Sequence, residues 1–377
     1  MQYRDRLFIR GPQKVVRLFG VEYCFKETAM KRKTIAVIFG GCSSEYEVSL
    51  MSASSVIRNL DKEKYNVVTL GITREGEWLK YGGTAQGIED DTWMNHASCL
   101  RALISPDRST RGILVLENGG VTTIKIDAAF PVLHGKNGED GTVQGLLELA
   151  GIPCVGCGMI GSAVCMDKDV AHRLARAAGV RTPKSVVCCG ADEEELPQLT
   201  RALKFPLFVK PANAGSSLGV TKAENAEGLA AAVGAALAYD RKVIIEEAIE
   251  GFEVGCAILG NDRLTIGEVD EIELSKGFFD YTEKYTLKTS RIYMPARVTP
   301  KTAERIKRTA ARVYRALGCR GMARVDMFLT PKRGIVFNEV NTIPGFTPHS
   351  RYPAMMSGIG LSFAEILDEL IRLAVEE

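Results

Sequence analysis

The stretch RVDMFLTPKRGIVFNEVN, residues 324–341, holds two apolar runs around a TPKRG turn, and Arg324, Asp326, Glu339 and Asn341 interrupt them. Pro331, Lys332, Arg333 and Gly334 suit a short hairpin connection. Symmetric pairing about that turn sets Asp326 opposite Glu339 and Arg324 opposite Asn341, and residues directly opposed or two apart share a face. A one-residue slip in register would scatter them. Two carboxylates and an amide oxygen on one face are hard oxygen ligands, the set that Mg2+ takes when it also meets phosphates. A solvated face with a cross-strand ion pair is the competing reading of the hairpin taken alone.

The rest of the chain bounds the choice. Its 377 residues are 46% hydrophobic and 25% charged, which predicts a soluble globular protein long enough for two or three domains. The net charge of +2 is spread along the length without a basic block, so nucleic acid is not an expected partner. Ten cysteines are scattered, mostly within apolar runs, and predict reduced thiols in the cytoplasm rather than a disulfide framework. Cys154, Cys157 and Cys165 lack the second CxxC or histidine pair that a tetrahedral zinc site needs. No apolar run approaches the ~20 residues that span a bilayer, and GLAAAVGAALAY (228–239) reads as an alanine-rich helix. Residues 1–30 mix charges with isolated apolar residues, and Met30 followed by KRKTIAVIFGG resembles a natural start. They are expected to be an extension outside the fold.

From residue 34 the pattern runs strand (TIAVIFGG), glycine turn, amphipathic helix (CSSEYEVSLMSASSVIRNL), strand (NVVTLGI), a βαβ unit that predicts a parallel sheet. A hairpin about Asn118-Gly119 and a strand ending in PVLHGKNGEDG follow. Glycines and charges there sit beyond a strand carboxyl end, where open α/β sheets bind ligands. The expected divisions are an α/β domain over 31–157, a smaller α+β unit over 158–246 containing one helix over 159–178, and a strand-rich unit over 247–377. The loop KPANAGSSLGV (210–220) follows an apolar strand and lets backbone amides approach an anion, but it is not a P-loop, because no lysine follows its glycines. FGGCSSEYEVS lacks the GxGxxG spacing of a dinucleotide site.

In order, GGCSSEYEVS, HGKNGEDGTVQG, MDKD, KPANAGSSLGV, DYTEKY, GMARVD and NEVNTIPGFTPHS resemble the D-alanine–D-alanine ligase family of ATP-grasp enzymes, from about residue 32 to the C-terminus. The resemblance implies an ATP-grasp fold with a Rossmann-like N-terminal domain, ATP bound between the central and C-terminal units, and two Mg2+ (or Mn2+) held by Asp326, Glu339 and Asn341. It implies phosphate contacts from Lys168, Lys210 and Ser217, adenine contacts from Glu246, Glu247 and Ile249, and a ribose contact from Glu253. Glu45 would hold the ammonium of the first D-alanine with Ser216 and Tyr285 as orienting partners, and Arg324 would face the reacting acyl centre. His134 and Ser350 match first- and second-site contacts, and Lys284 and Tyr285 lie on a mobile loop of roughly 268–291.

Asp270, Phe279 and Arg351 together resemble the G-type vancomycin-resistance ligases, which implies D-serine as second substrate, since a guanidinium suits a hydroxyl acceptor. The implied physiology is peptidoglycan precursors that bind vancomycin less well. An ordinary D-alanine–D-alanine ligase and an inactive nucleotide-binding module are the alternatives. A homodimer is the family's habit.

Overall fold

The computed structural model describes residues 13–18, 21–26, 31–117, 119–190, 193–274 and 290–376. Strands β1 (Gln13–Leu18) and β2 (Val21–Lys26) pair antiparallel with each other and with no other described strand.

The βαβ unit forms as the sequence predicts. Strand β3 (Lys33–Gly40) pairs parallel with β4 (Tyr65–Ile72), and helix Tyr46–Asn59 lies between them in sequence. Alternate residues of β3 serve two cores: Ile35, Val37 and Phe39 pack with Tyr46, Leu50 and Ala53 of the helix, and Ala36 and Ile38 pack with Val143 and Leu147 on the other side. Burial on both faces explains why TIAVIF is apolar without alternation. The sheet continues antiparallel through β5 (Trp78–Tyr81), β6 (Leu100–Ile104), β7 (Gly112–Glu117) and β8 (Gly120–Lys125), while β9 (Ala128–Val132) adds parallel to β3, closing the order β8-β7-β6-β5-β4-β3-β9. Glu117 pairs with Gly120, leaving a two-residue turn whose Asn118 lies outside the described residues.

A four-stranded antiparallel sheet follows, in the order β10 (Ser185–Cys188), β13 (Val243–Glu247), β11 (Leu207–Pro211), β12 (Thr221–Ala223), with helix Ala226–Leu237 against it. The five-stranded antiparallel sheet runs β16 (Ser290–Tyr293), β15 (Thr265–Leu274), β14 (Phe252–Leu259), β17 (Met322–Thr330), β18 (Gly334–Asn341). Helix Pro300–Ala316 covers one face of it through Ile306, Ala310, Val313 and Tyr314. On the other, Ala257, Leu259 and Met322 share a core with Tyr352, Met355 and the N-terminal sheet. Among the described residues no helix is long and apolar enough to cross a membrane.

One helix was expected over 159–178, and two form, Met159–Met166 and Lys168–Ala177. Asp167 leaves the helical region at ψ 98°, and its carboxylate accepts from the N–H groups of Asp169 and Val170. An aspartate that satisfies two otherwise orphaned donors offers the backbone a local alternative to continuing the helix.

Candidate active site

The hairpin places its four polar residues as the pairing predicts, by a route the sequence did not show. The turn pairs Thr330 with Gly334 and the ladder runs in that register to Met327–Phe337. It then shifts by one, so that Asp326 faces Glu339 and Arg324 faces Asn341. Asn338 is the extra residue, and its carbonyl accepts from Nε2 of buried His172 at 2.8 Å. Without this bulge Glu339 would fall opposite Val325 and turn to the helix-covered face.

Within the patch Asp326 is 1% exposed. It accepts from Nε and Nη2 of Arg324 at 2.9 and 2.7 Å, and from Nδ2 of Asn341 at 2.8 Å. Nη2 of Arg351 lies 3.3 Å from it. Glu339 stands 3.5 Å from Nζ of Lys168. Lys168 donates to the Ala214 carbonyl at 2.7 Å, and Lys210 is ion-paired with Glu246.

A cavity of about 370 Å3 between the two antiparallel sheets is lined by Lys168, Lys210, Ser217, Glu246, Glu247, Ile249, Glu253 and Glu339. All the expected nucleotide contacts therefore line one space except Lys284, which lies outside the described residues together with Phe279 and Tyr285. The sequence reading missed the apolar walls, Phe208, Val220, Phe252, Ile272 and Phe328, which are indistinguishable from core residues by pattern alone. Among the described residues Oε2 of Glu246 is buried without a hydrogen-bond partner, an acceptor set among these walls. Such a group is costly until a donor reaches it. An amino-bearing aromatic base meets that requirement, and the lysines suit phosphates at the other end.

Lys242 was also missed. Its Nζ lies 2.9 Å from the Asp167 carboxylate and 2.8 Å from that of Asp169, bracing the helix start that presents Lys168. Lys242→Met is expected to raise the KM for ATP about three- to tenfold with a smaller change in kcat, and Lys242→Arg to restore it, in steady-state assays.

The residues expected to hold the first substrate gather at the carboxyl ends of β3 and β9. Glu45 precedes helix Tyr46–Asn59, and the hydroxyl of Ser216 donates to its carboxylate. A Cβ built on Gly135 or on Gly215 would come within 2.7 or 2.6 Å of Oε2 of Glu45, so a side chain at either would displace that carboxylate, and Gly135 also holds a positive φ of 70° that favours glycine. Ser216 and Ser217 hold positive φ of 51° and 59°, an uncommon conformation for side-chain-bearing residues that clusters at functional loops. His134 is buried, its Nδ1 donates to the Ile343 carbonyl at 2.9 Å, and its Nε2 lies 3.3 Å from the Ser52 hydroxyl. Burial holds its imidazole below the usual range. Both ring nitrogens are thus already engaged. Ser350 precedes helix Arg351–Ser357, and its hydroxyl accepts from the Thr347 N–H at 3.0 Å.

Glu139, unnoticed in the sequence, accepts from the N–H groups of Gly135 (2.9 Å) and Ile343 (3.1 Å), tying the two loops together. Burial, then the neighbouring Glu45 charge, pushes its carboxyl up to about 8. A carboxyl raised in the folded state holds its proton there after the unfolded chain has lost it. Stability is expected to fall as pH rises from about 4.5 to about 8, at up to ~1.4 kcal/mol per unit, and to level off above. Glu139→Gln cannot accept both N–H groups and starts less stable by about 1–3 kcal/mol, but it should flatten that slope in urea unfolding measured across pH.

Arg351 and Asp270 come together as a buried pair: Nε and Nη2 of Arg351 donate to the two Asp270 oxygens at 2.7 and 2.8 Å, and Nη1 donates to Glu253 at 3.1 Å.

Two family descriptions match the chain, "D-ala D-ala ligase N-terminus" over residues 34–157 and "D-ala D-ala ligase C-terminus" over 174–372. The vancomycin B-type resistance protein VanB of Enterococcus faecalis is 47% identical over 352 residues, 92% of this chain and 100% of that protein. A D-alanine–D-alanine ligase of Caldicellulosiruptor bescii is 44% identical over 354 residues, 92% and 96% of the two chains. The crystal structure of the VanG D-Ala:D-Ser ligase from Enterococcus faecalis superposes with a TM-score of 0.86 at 56% identity, covering 92% of this chain and 100% of that one.

Proposed function

The chain belongs to the D-alanine–D-alanine ligase family, and from that premise we propose that it couples ATP hydrolysis to joining D-alanine with D-serine. The coarser activity is that of the family: an ATP-dependent ligase of ATP-grasp fold that forms a D-alanyl-D-X dipeptide for peptidoglycan precursors. D-serine as X is the finer reading. The observation that carries it is the 56% identity to a D-Ala:D-Ser ligase over nearly the whole fold, above that to the D-alanine–D-alanine ligase just compared. Work in the cytoplasm as a homodimer, and a part in vancomycin resistance, complete the proposal.

A carboxylate is a poor electrophile, so the first D-alanine must be activated as its acyl phosphate before an amine can displace phosphate. Glu45, held by Ser216, fixes the ammonium of that substrate. Lys168 and Lys210 meet the phosphates, and the loop carrying Ser217 closes over the transferred group. Arg324, which is paired with Asp326, supports the oxyanion that develops when the second amine attacks. Asp326, Glu339 and Asn341 offer a hard-oxygen set suited to two Mg2+, which when bound neutralise charge on the phosphates. Lys284, Tyr285 and Phe279 keep the roles that the family resemblance implies.

The test is to incubate the protein with ATP, Mg2+ and D-alanine, with and without D-serine, identifying dipeptides by mass and following phosphate release. Mainly D-alanyl-D-serine under competition supports the reading. Mainly D-alanyl-D-alanine makes the chain an ordinary D-alanine–D-alanine ligase, and no amino-acid-dependent phosphate release overturns both.

A further inference from the structure

On the outer side of the C-terminal sheet, away from the catalytic cleft, a second cavity of about 330 Å3 has Val180 and Ile335 in its lining. Arg305, Arg308 and Arg312 enter it from helix Pro300–Ala316, and Arg181 from the loop before β10. Their spacing of three and four residues puts the helix arginines on one face, where like charges destabilise each other by roughly 0.2–0.5 kcal/mol per pair. Among the described residues no carboxylate lines the cavity. Glu304 pairs with Arg308 at 2.8 Å, whereas Arg305 and Arg312 make no ion pair among the described residues. A solvated arginine stripe would stand on a convex helix face. Here the loop residue Arg181 also lines the hollow, its carbonyl accepting from the Phe337 N–H at 2.8 Å and its guanidinium donating to the Arg333 carbonyl.

We propose that this arginine-lined cavity is a binding site for a multiply charged phosphate ligand, separate from the catalytic cleft. Guanidinium forks match phosphate oxygens two at a time, and several converging on one hollow suit more than one phosphate group. The shared chemistry is phosphate, carried either by a free small molecule or by a lipid headgroup. The proposal does not rest on the ligase reading, although Ile335 lies on β18, the strand that also carries Glu339 and Asn341.

The probe is inorganic pyrophosphate, titrated calorimetrically into the full chain after its catalytic cleft has been filled with Mg2+ and the non-hydrolysable analogue AMP-PNP. A second arm sediments the protein with phosphatidylglycerol–phosphatidylcholine vesicles. The wild type is expected to bind at least one of the two, with affinity falling as salt rises. Arg305→Ala/Arg312→Ala should weaken that binding at least tenfold, and Arg305→Lys/Arg312→Lys severalfold, because charge is kept and the fork is lost. These side chains are exposed, so thermal unfolding of the unliganded variants should match wild type, or slightly exceed it where alanine removes the like-charge pairs. Pyrophosphate binding marks a free ligand, and vesicle binding alone marks a headgroup. Arg181→Ala must weaken binding too, since a loss confined to the helix arginines means a convex stripe and overturns the cavity. No binding in either arm, or equal binding by wild type and Arg305→Ala/Arg312→Ala, overturns the proposal as well.

Discussion

Asp326→Asn is expected to lower kcat by at least about 10^3-fold and also to destabilise the fold, whereas Glu339→Gln should cause a comparable kinetic loss with stability nearly unchanged. The difference lies in what each carboxylate touches. Asp326 is almost fully buried and neutralises Arg324 at 2.7 Å, with Arg351 at 3.3 Å. An asparagine there keeps one acceptor but leaves buried Arg324 without its counter-charge, while Arg351 keeps Asp270 and Glu253, a change that costs about 3–5 kcal/mol in buried pairs. Glu339 has a side chain 19% exposed, and its nearest cation among the described residues, Lys168, is 3.5 Å away. Its removal should cost about 1 kcal/mol or less. Urea unfolding read beside single-turnover kinetics separates the two effects. An Asp326→Asn enzyme within tenfold of wild type would sink the metal-ligand assignment.

The same two carboxylates mark how far the sequence could be read. Their opposition followed from side-chain alternation about a recognisable turn, because cross-strand neighbours obey a period of two. The bulge at Asn338 that delivers it left no local signal, since NEVN reads equally well as a regular strand. The break at Asp167 was hidden for a related reason: apolar residues continue at helical spacing on both sides of it. Contacts between distant segments were illegible altogether. Gly135 and Gly215 meet across the Glu45 carboxylate from different parts of the chain, and nothing in either segment alone announces the shared partner. Asp270 and Arg351 were each expected at the second substrate site, but their mutual pairing required the fold to bring β15 against helix Arg351–Ser357.

That pairing sharpens the last expectation. Three hydrogen bonds, to Asp270 twice and to Glu253, and the close approach to Asp326 engage four of the five guanidinium hydrogens of Arg351, leaving one on Nη1 for a further acceptor such as a serine hydroxyl. Arg351→Met should therefore do two things. It strands Asp270, which is 1% exposed, and is expected to cost about 3–5 kcal/mol of stability. It also removes the donor that would reward a hydroxyl, and should shift the D-serine to D-alanine preference by roughly 10- to 100-fold toward D-alanine. The two effects separate in Asp270→Asn/Arg351→Met. The asparagine oxygen can still accept the Gly255 N–H that Asp270 accepts at 2.9 Å, and no stranded charge remains at position 270, while Glu253, which also loses Arg351, lines the open cavity, so most of the lost stability should return. If the double variant is stable and prefers D-alanine, the guanidinium reads the hydroxyl. If it is stable and still makes D-alanyl-D-serine, Arg351 only braces the floor beneath Asp326, and the preference for D-serine has to come from another part of the second-substrate site.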